Sequence, residues 1–321
     1  MIQEVSEQLF QLAAFNPFDF SSRERLVDIR AWIASPYYYV DSLTTSNQFT
    51  LNIKNWEALK IGVTNDVNRF ATAAVESTIG VTQYSPLPKH SAWLAIRAYY
   101  AAFYSAHAII RLFGHSCTQL DFEHAKAVWS NADALGIAGA VSRVDSGFYA
   151  IEVNSNMQTM AFTKLNDSHS DTWAALTRLL TDLRKRVAST KGLSKRKLDS
   201  ELFLDALIAV LKHSGSNKGN WLSCARNLIN YRFAYGTWFP FDRSTNYGSE
   251  LMERDAQLWH TNDSLVTRLS FRDDIQRMIH CCVDLVRFCQ FLIGAFADKV
   301  AIVPMQLTHG VFRLRNLLQV A

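Results

Sequence analysis

A chain of 321 residues is long enough for one large domain or two modest ones with a substantial core. Thirteen Gly and six Pro are about half the usual share, which argues against turn-rich sandwiches or barrels and against disordered or collagen-like chains. With 49% hydrophobic residues, 19% charged residues and a net charge of +4, the chain is no uniform polyelectrolyte for nucleic acid, and its apolar surplus predicts extensive burial or a subunit interface.

In chain order, helical spacing covers 3–14 and 22–34, the second opened by Ser21 or Ser22 as cap with Glu24 in its first turn. SPYYYVD, with Pro36, breaks the pattern. Apolar positions from Phe49 through Ile53, Trp56 and Leu59 to Val75 then recur mostly every three or four residues, predicting one long amphipathic helix over 47–79. Pro86 and Pro88 end that unit; Ser91 caps a helix over 92–113, and Gly114 sits where a C-terminal glycine belongs. A helix over 121–135 and the loop GIAGAVSR follow. The alternating stretch around NSN predicts a β-hairpin near 147–165, the one strand pair expected. SHSDTW starts a helix to about 188, capped by Ser170 or Asp171. Helices over 199–213 and 221–235 flank the loop SGSNKGN, and Ser270 with Asp273 makes a capping-box-like start to a helix ending near 297.

Five Cys (Cys117, Cys224, Cys281, Cys282, Cys289) are an odd count without framework spacing and read as reduced thiols. The start MIQEVSEQLF, with Glu4 and Glu7, has no cationic region of a signal peptide, and the longest apolar stretch is interrupted by Arg97, His107 and Arg111. A soluble cytoplasmic protein without a membrane span is expected. No GxGxxG or Walker pattern occurs, so nucleotide hydrolysis is not expected. His280, Cys281, Cys282 and Cys289 lack a CxxC pairing; His115, Cys117 and His124, around a helix break, are a weaker set still. No metal and no other cofactor is expected.

The informative segment is WLSCARNLINYRFAYGTWFPF. On a helix Ser223, Arg226, Asn227, Asn230 and Tyr231 share one side within about 140°. Leu222, Ala225, Leu228, Ile229 and Phe233 take the other. A solvated helix face favours Lys, Glu and Gln, whereas Asn pulls the backbone out of helix. Two Asn beside an Arg therefore mark a functional arc, unless they serve the helix end near Gly236 and Pro240. In SAWLAIRAYYAAFYSAHAIIRLFG an aromatic seam runs beside a stripe of Arg97, Tyr104 and Arg111, and small residues such as Ala98, Ala101, Ala102 and Ala106 allow another helix to approach closely. The alternative for this seam is plain core packing with the arginine heads reaching out to water. The dense cationic run holds Arg184, Lys185, Arg186, Lys191, Lys195, Arg196 and Lys197, either an RNA-facing element or a solvated loop.

The helix RAYYAAFYSAHAIIR, followed by a later helix with Arg-Asn-x3 and an aromatic residue, resembles the HEPN superfamily of ribonuclease toxins, toxin–antitoxin partners and anti-phage proteins. The resemblance implies a mainly α, four- or five-helix up-and-down bundle over 46–298. It adds an N-terminal helical extension at 1–45, an insertion at 114–198 holding the short hairpin, and a C-terminal tail at 299–321. It further implies a homodimer in which two Arg-x4-6-His motifs meet at a cleft and cut RNA without metal. Residue by residue, Arg226 matches the motif arginine and Asn227 the polar residue after it, while Tyr231 stands at the histidine's position.

Arg226 would clamp the phosphate, Asn227 orient it, and Tyr231 act as acid or hydrogen-bond donor. Asn230, Arg97 and the basic run Arg184, Lys185, Arg186, Lys195, Arg196 and Lys197 would hold RNA. If a distant residue supplies the base, His107 and His213 are the candidates. The alternative reading is an inactive binding or regulatory module with a protein partner in a defence or toxin–antitoxin system.

Overall fold

The structure is a computed structural model; it describes residues 5–7, 9, 28–35, 37–82, 91–192, 194–238, 254–260, 270–297, 310–311 and 313–314. The expected helix at 3–14, residues 22–27 of the one expected at 22–34, the prolines at 86–88 and the tail from 299 lie wholly or largely outside these residues. In chain order come α1 (Ile29–Ile33), β1 (Tyr38–Thr45), β2 (Gln48–Ile53), α2 (Trp56–Thr82), α3 (Ser91–Leu112), β3 (His115–Leu120) and α4 (Phe122–Ala134). Next are β4 (Gly147–Asn154), β5 (Thr159–Lys164), α5 (Ser168–Ser189), α6 (Lys195–Leu211), α7 (Trp221–Arg232) and α8 (Asp274–Ala297).

The five strands form one sheet in the order β1-β2-β5-β4-β3, every pair antiparallel. The mainly α bundle with one short hairpin is thereby corrected to an α+β fold. Strand β1 lies in the segment expected to be a helical extension, and β2 in the segment expected to open the long helix. For β2 the physical reason is a coincidence of periods: Phe49 and Ile53 are four residues apart, a step that keeps one face on a helix and on a strand alike, while β1 follows Pro36, where helical spacing stops. Tyr38, Val40, Phe49, Leu51 and Ile53 are buried with exposed or half-buried residues between them, as a sheet with one covered face requires. The hairpin expected near 147–165 is β4–β5, and both its partners come from earlier in the chain: β2 on one edge and β3 on the other. The segments expected as extension and insertion thus share one sheet. On the covered face Phe49 stacks on Phe162 with centroids 4.5 Å apart, and Tyr149 tilts against Phe49 at 5.6 Å.

Helix α3 is the axis of the helical layer, touching α2, α8, α5, α7 and β3. Its buried Ala92, Ala95, Ala98, Ala101, Ala102 and Ala106 let α2 and α8 lie close against it. Gly114, at φ 80°, ends it in the left-handed region before β3 turns away. Helix α8 is capped by Asp273, whose carboxylate accepts from Gln276 N at 2.8 Å, while Gln276 Oε1 accepts from Arg272 N. By length and composition Asp274–Ala295 is apolar enough to cross a membrane, yet 78% of its most apolar window is buried inside the fold, as in a core helix.

A charged cluster centred on Arg111 and Asp66 lies within this core. Arg111 and Asp66 are 2% and 1% exposed, with Arg111 Nε 3.5 Å from Asp66 Oδ2. Arg111 donates to the carbonyls of His107 (3.0 Å) and Cys117 (3.2 Å) and to Thr118 Oγ1 (3.1 Å), pinning α3 to β3. Burial and the Arg111 cation hold the His107 imidazole well below its usual pKa, so it sits neutral between Phe70 and Phe103.

Candidate active site

Helix α7 packs its Leu222, Ala225 and Ile229 into the core, and this places Arg226 at the seam with α3 and α5. The Arg226 side chain is buried, and its guanidinium is shared among three helices. Nη1 donates to Asn227 Oδ1 at 2.7 Å; Nη2 donates to Tyr100 Oη at 3.3 Å and to His169 Nε2 at 3.1 Å. Nε is buried without a hydrogen-bond partner, and the group lies 5.6 Å and 5.9 Å from the ring centroids of Tyr99 and Tyr100.

His169 stands in the first turn of α5, which Asp167 caps by accepting from Ser170 N. Asn220 Nδ2 donates to Ser170 Oγ at 2.8 Å, fastening the start of α5 to the start of α7. The ring stacks on Phe103 with centroids 4.4 Å apart. Because Nε2 accepts from Arg226, the proton of the neutral imidazole sits on Nδ1, which donates to Tyr99 Oη at 2.9 Å. Tyr99 Oη also accepts from Trp173 Nε1 at 3.0 Å and reaches Ser223, completing the chain. Burial pushes the Tyr99 phenol up, so Tyr99 stays a hydroxyl and fixes the tautomer of His169. Burial first, and the Arg226 cation second, lower the His169 pKa from 6.5, while Asp167 opposes them. The result is a neutral imidazole whose basic nitrogen faces a guanidinium, beside a tyrosine hydroxyl and an exposed carboxamide.

The structure brings Arg226 and Asn227 together as the sequence suggested. Tyr231, five residues on, is 71% exposed, and no contact joins it to Arg226 among those described. Asn230 is half-buried on α7 and Arg97 exposed on α3. The basic run lies elsewhere: Arg184 is 15 residues along α5 from His169, roughly 22 Å at the helical rise. It pairs with Asp205 at 3.0 Å and with Glu201 at 3.7 Å. Lys185 pairs with Asp182, Lys197 donates to the carbonyls of Ala188 and Thr190 at the end of α5, and Lys195, Arg196 and Arg186 are exposed. Of the two histidines named as distant bases, His107 is buried beside Arg111, and His213 pairs with Asp274 at 3.0 Å and Arg277 at 2.7 Å. Neither touches Arg226 in the contacts described.

His169 is the residue that sequence reasoning missed. Its signal was its stripe: His169, Trp173, Leu176 and Leu180 follow helical spacing, so the histidine stands on the buried face of α5. Among the described residues no group of three or more His, Cys, Asp or Glu is placed to hold a metal ion. No protein-family model matches the chain, and no curated protein and no solved structure matches it significantly.

Proposed function

We propose that this chain is a metal-independent ribonuclease whose chemistry rests on Arg226 and His169. The observation that carries the proposal is the contact of a neutral histidine nitrogen with a guanidinium at 3.1 Å in a three-helix seam. From the HEPN resemblance the proposal takes the chemistry alone, with His169 in the role left open by Tyr231. The Arg–His pair closes within one chain, so the chemistry does not depend on a second copy.

In this reading a phosphodiester draws the Arg226 guanidinium away from His169, Arg226 binding two of its oxygens, with Asn227 as a further donor. The freed Nε2 takes the proton of the ribose 2′-OH. The 2′-oxygen attacks phosphorus, the bond to the 5′-oxygen breaks, and that oxygen takes its proton from the Tyr100 hydroxyl, leaving a 2′,3′-cyclic phosphate. Tyr99 keeps the His169 tautomer correct throughout. A toxin or anti-phage role is the setting such an activity would fit.

A second reading, an inactive RNA- or partner-binding module, is favoured by one fact: both Nη atoms of Arg226 already have protein partners and the side chain is only 9% exposed. Incubating purified protein with RNA in EDTA, beside Arg226→Ala, separates the two. Cleavage that disappears in the variant supports the ribonuclease; RNA bound but uncut supports the module; equal cleavage by both forms refutes the assignment of the site.

A further inference from the structure

The geometry points to a base-stacking subsite for single-stranded RNA made by Trp93 and Phe233, about two helical turns from Arg226. It rests on the nucleic-acid reading above and adds to it where an unpaired base would lie.

Helices α3 and α7 run antiparallel at this seam: Ala92 N donates to Thr237 O just beyond α7, while Tyr100 meets Arg226 further along. Trp93, Arg97, Tyr100 and Tyr104 recur at steps of three and four on the stripe of α3 that escapes burial. On α7 the stripe runs from the buried Arg226 through the half-buried Asn230 to Phe233, the C-cap just past the helix end. The two stripes lie side by side, and both end in large rings: Trp93 is 58% exposed and Phe233 56%.

These rings are held, not loose. Trp238 meets Trp93 edge-on at 5.5 Å and Phe233 at 6.3 Å, and its indole N–H is tied to Ile229 O at 2.8 Å. Phe233 itself sits in the left-handed region at φ 50°, as does Tyr235 at φ 64°, conformations that bulky residues rarely adopt. Phe233 caps the C-terminus of α7, its N–H donating to Leu228 O, and this turn leaves the ring facing water.

Charge selects the occupant. Neither α3 nor α7 contains an Asp or Glu, while Arg97 and Arg232 are exposed beside the rings. A polyanion with flat apolar bases meets both features: stacking on the rings and neutralisation by the arginines. Seven residues separate Trp93 from Tyr100 and Phe233 from Arg226, about 10 Å along each helix. That is about three steps of a stacked strand, so the stacked base lies some three nucleotides from the phosphate at Arg226.

The test uses the full chain carrying His169→Gln, to keep RNA intact, and a labelled oligouridylate single strand beside a duplex RNA of equal length, read by fluorescence anisotropy. Adding Trp93→Ala is expected to weaken single-strand binding about 5- to 100-fold. Trp93→Phe should restore most of it, and duplex binding should change less than twofold. Phe233→Ala should act in the same direction. Unchanged single-strand affinity in Trp93→Ala, equal losses for both RNAs, or a dimer that Trp93→Ala dissociates on sizing overturns the subsite. Trp93-dependent binding by a protein whose wild type cuts nothing leaves the subsite standing and removes the ribonuclease; cleavage with a neutral Trp93→Ala does the reverse.

Discussion

His169 Nε2 accepts a hydrogen bond from Arg226 Nη2 at 3.1 Å across 57 residues of sequence. Everything proposed about catalysis follows from which nitrogen that is and what holds the other one. Tyr99 on Nδ1 fixes the tautomer, and Trp173 with Ser223 fixes Tyr99.

The acidity of His169 should follow Arg226. Its pKa is lowered by burial first and by the guanidinium second, so Arg226→Gln is expected to raise the His169 midpoint toward 6.5 without restoring it fully. An NMR titration of the ring proton measures this directly. A midpoint unmoved by the substitution would mean that the guanidinium does not face the imidazole.

The acid limb of cleavage should lie below pH 6.5. The base must be neutral, and its pKa is depressed, so activity is expected to be level from pH 7 to 8 and to fall only through a midpoint below 6.5. Single-turnover rates across pH 4.5 to 8 test this; a midpoint above 7 would point to a different base.

Stability should also fall in acid, through His107. The folded imidazole resists protonation while the unfolded chain takes a proton near pH 6.5, so below that pH the unfolded state binds more protons. The folded state then loses up to about 1.4 kcal/mol per pH unit until the folded pKa is reached. Thermal midpoints of wild type and His107→Gln at pH 5 and 7.5 should show a smaller acid loss in the variant.

The Asp66–Arg111 pair should be costly to break from one side. Both groups are buried, so Asp66→Ala leaves an uncompensated cation and is expected to cost about 3–5 kcal/mol, read as a shift in urea midpoint. Replacing both with apolar residues of similar volume should cost less than the single change. Equal cost would show that Arg111's bonds to the His107 and Cys117 carbonyls matter more than the ion pair.

Gly219 precedes Asn220, which ties α7 to α5, and no side chain fits there. Its φ is 84°, and an added Cβ would lie 2.1 Å from Thr177 Oγ1. Gly219→Ala is expected to destabilise by about 2 kcal/mol or more, and pairing it with Thr177→Ala should recover only the steric part, leaving the backbone strain.

The helices were legible in the sequence wherever apolar spacing ran long and a cap marked an end: Asp273 before α8, Gly114 after α3. The β4–β5 hairpin was legible because its alternation surrounds a turn-like Asn-Ser-Asn. Strand β2 was not, because the four-residue step from Phe49 to Ile53 suits both periods, and β1 was not, because the stretch after Pro36 read only as a break in helical spacing. Nor was β3, a six-residue strand completed by pairing with β4 across a helix. At the site, Arg226 and Asn227 stood out because asparagine is unusual on a helix face. The residue that meets them did not, since His169 reaches Arg226 only after α5 packs against α7, and nothing local in the sequence records that contact. Tyr231 was placed there by helical spacing and by its position in the HEPN-like motif, neither of which records the 71% exposure that follows once α7 buries its other face.

The central claim is that His169, rather than Tyr231, serves Arg226. The most direct test is single-turnover cleavage of a single-stranded RNA in EDTA by wild type, His169→Gln and Tyr231→Phe. A loss of about 100-fold or more for His169→Gln with Tyr231→Phe near wild type is the predicted result. Full activity in His169→Gln, or a comparable loss in Tyr231→Phe, would contradict it.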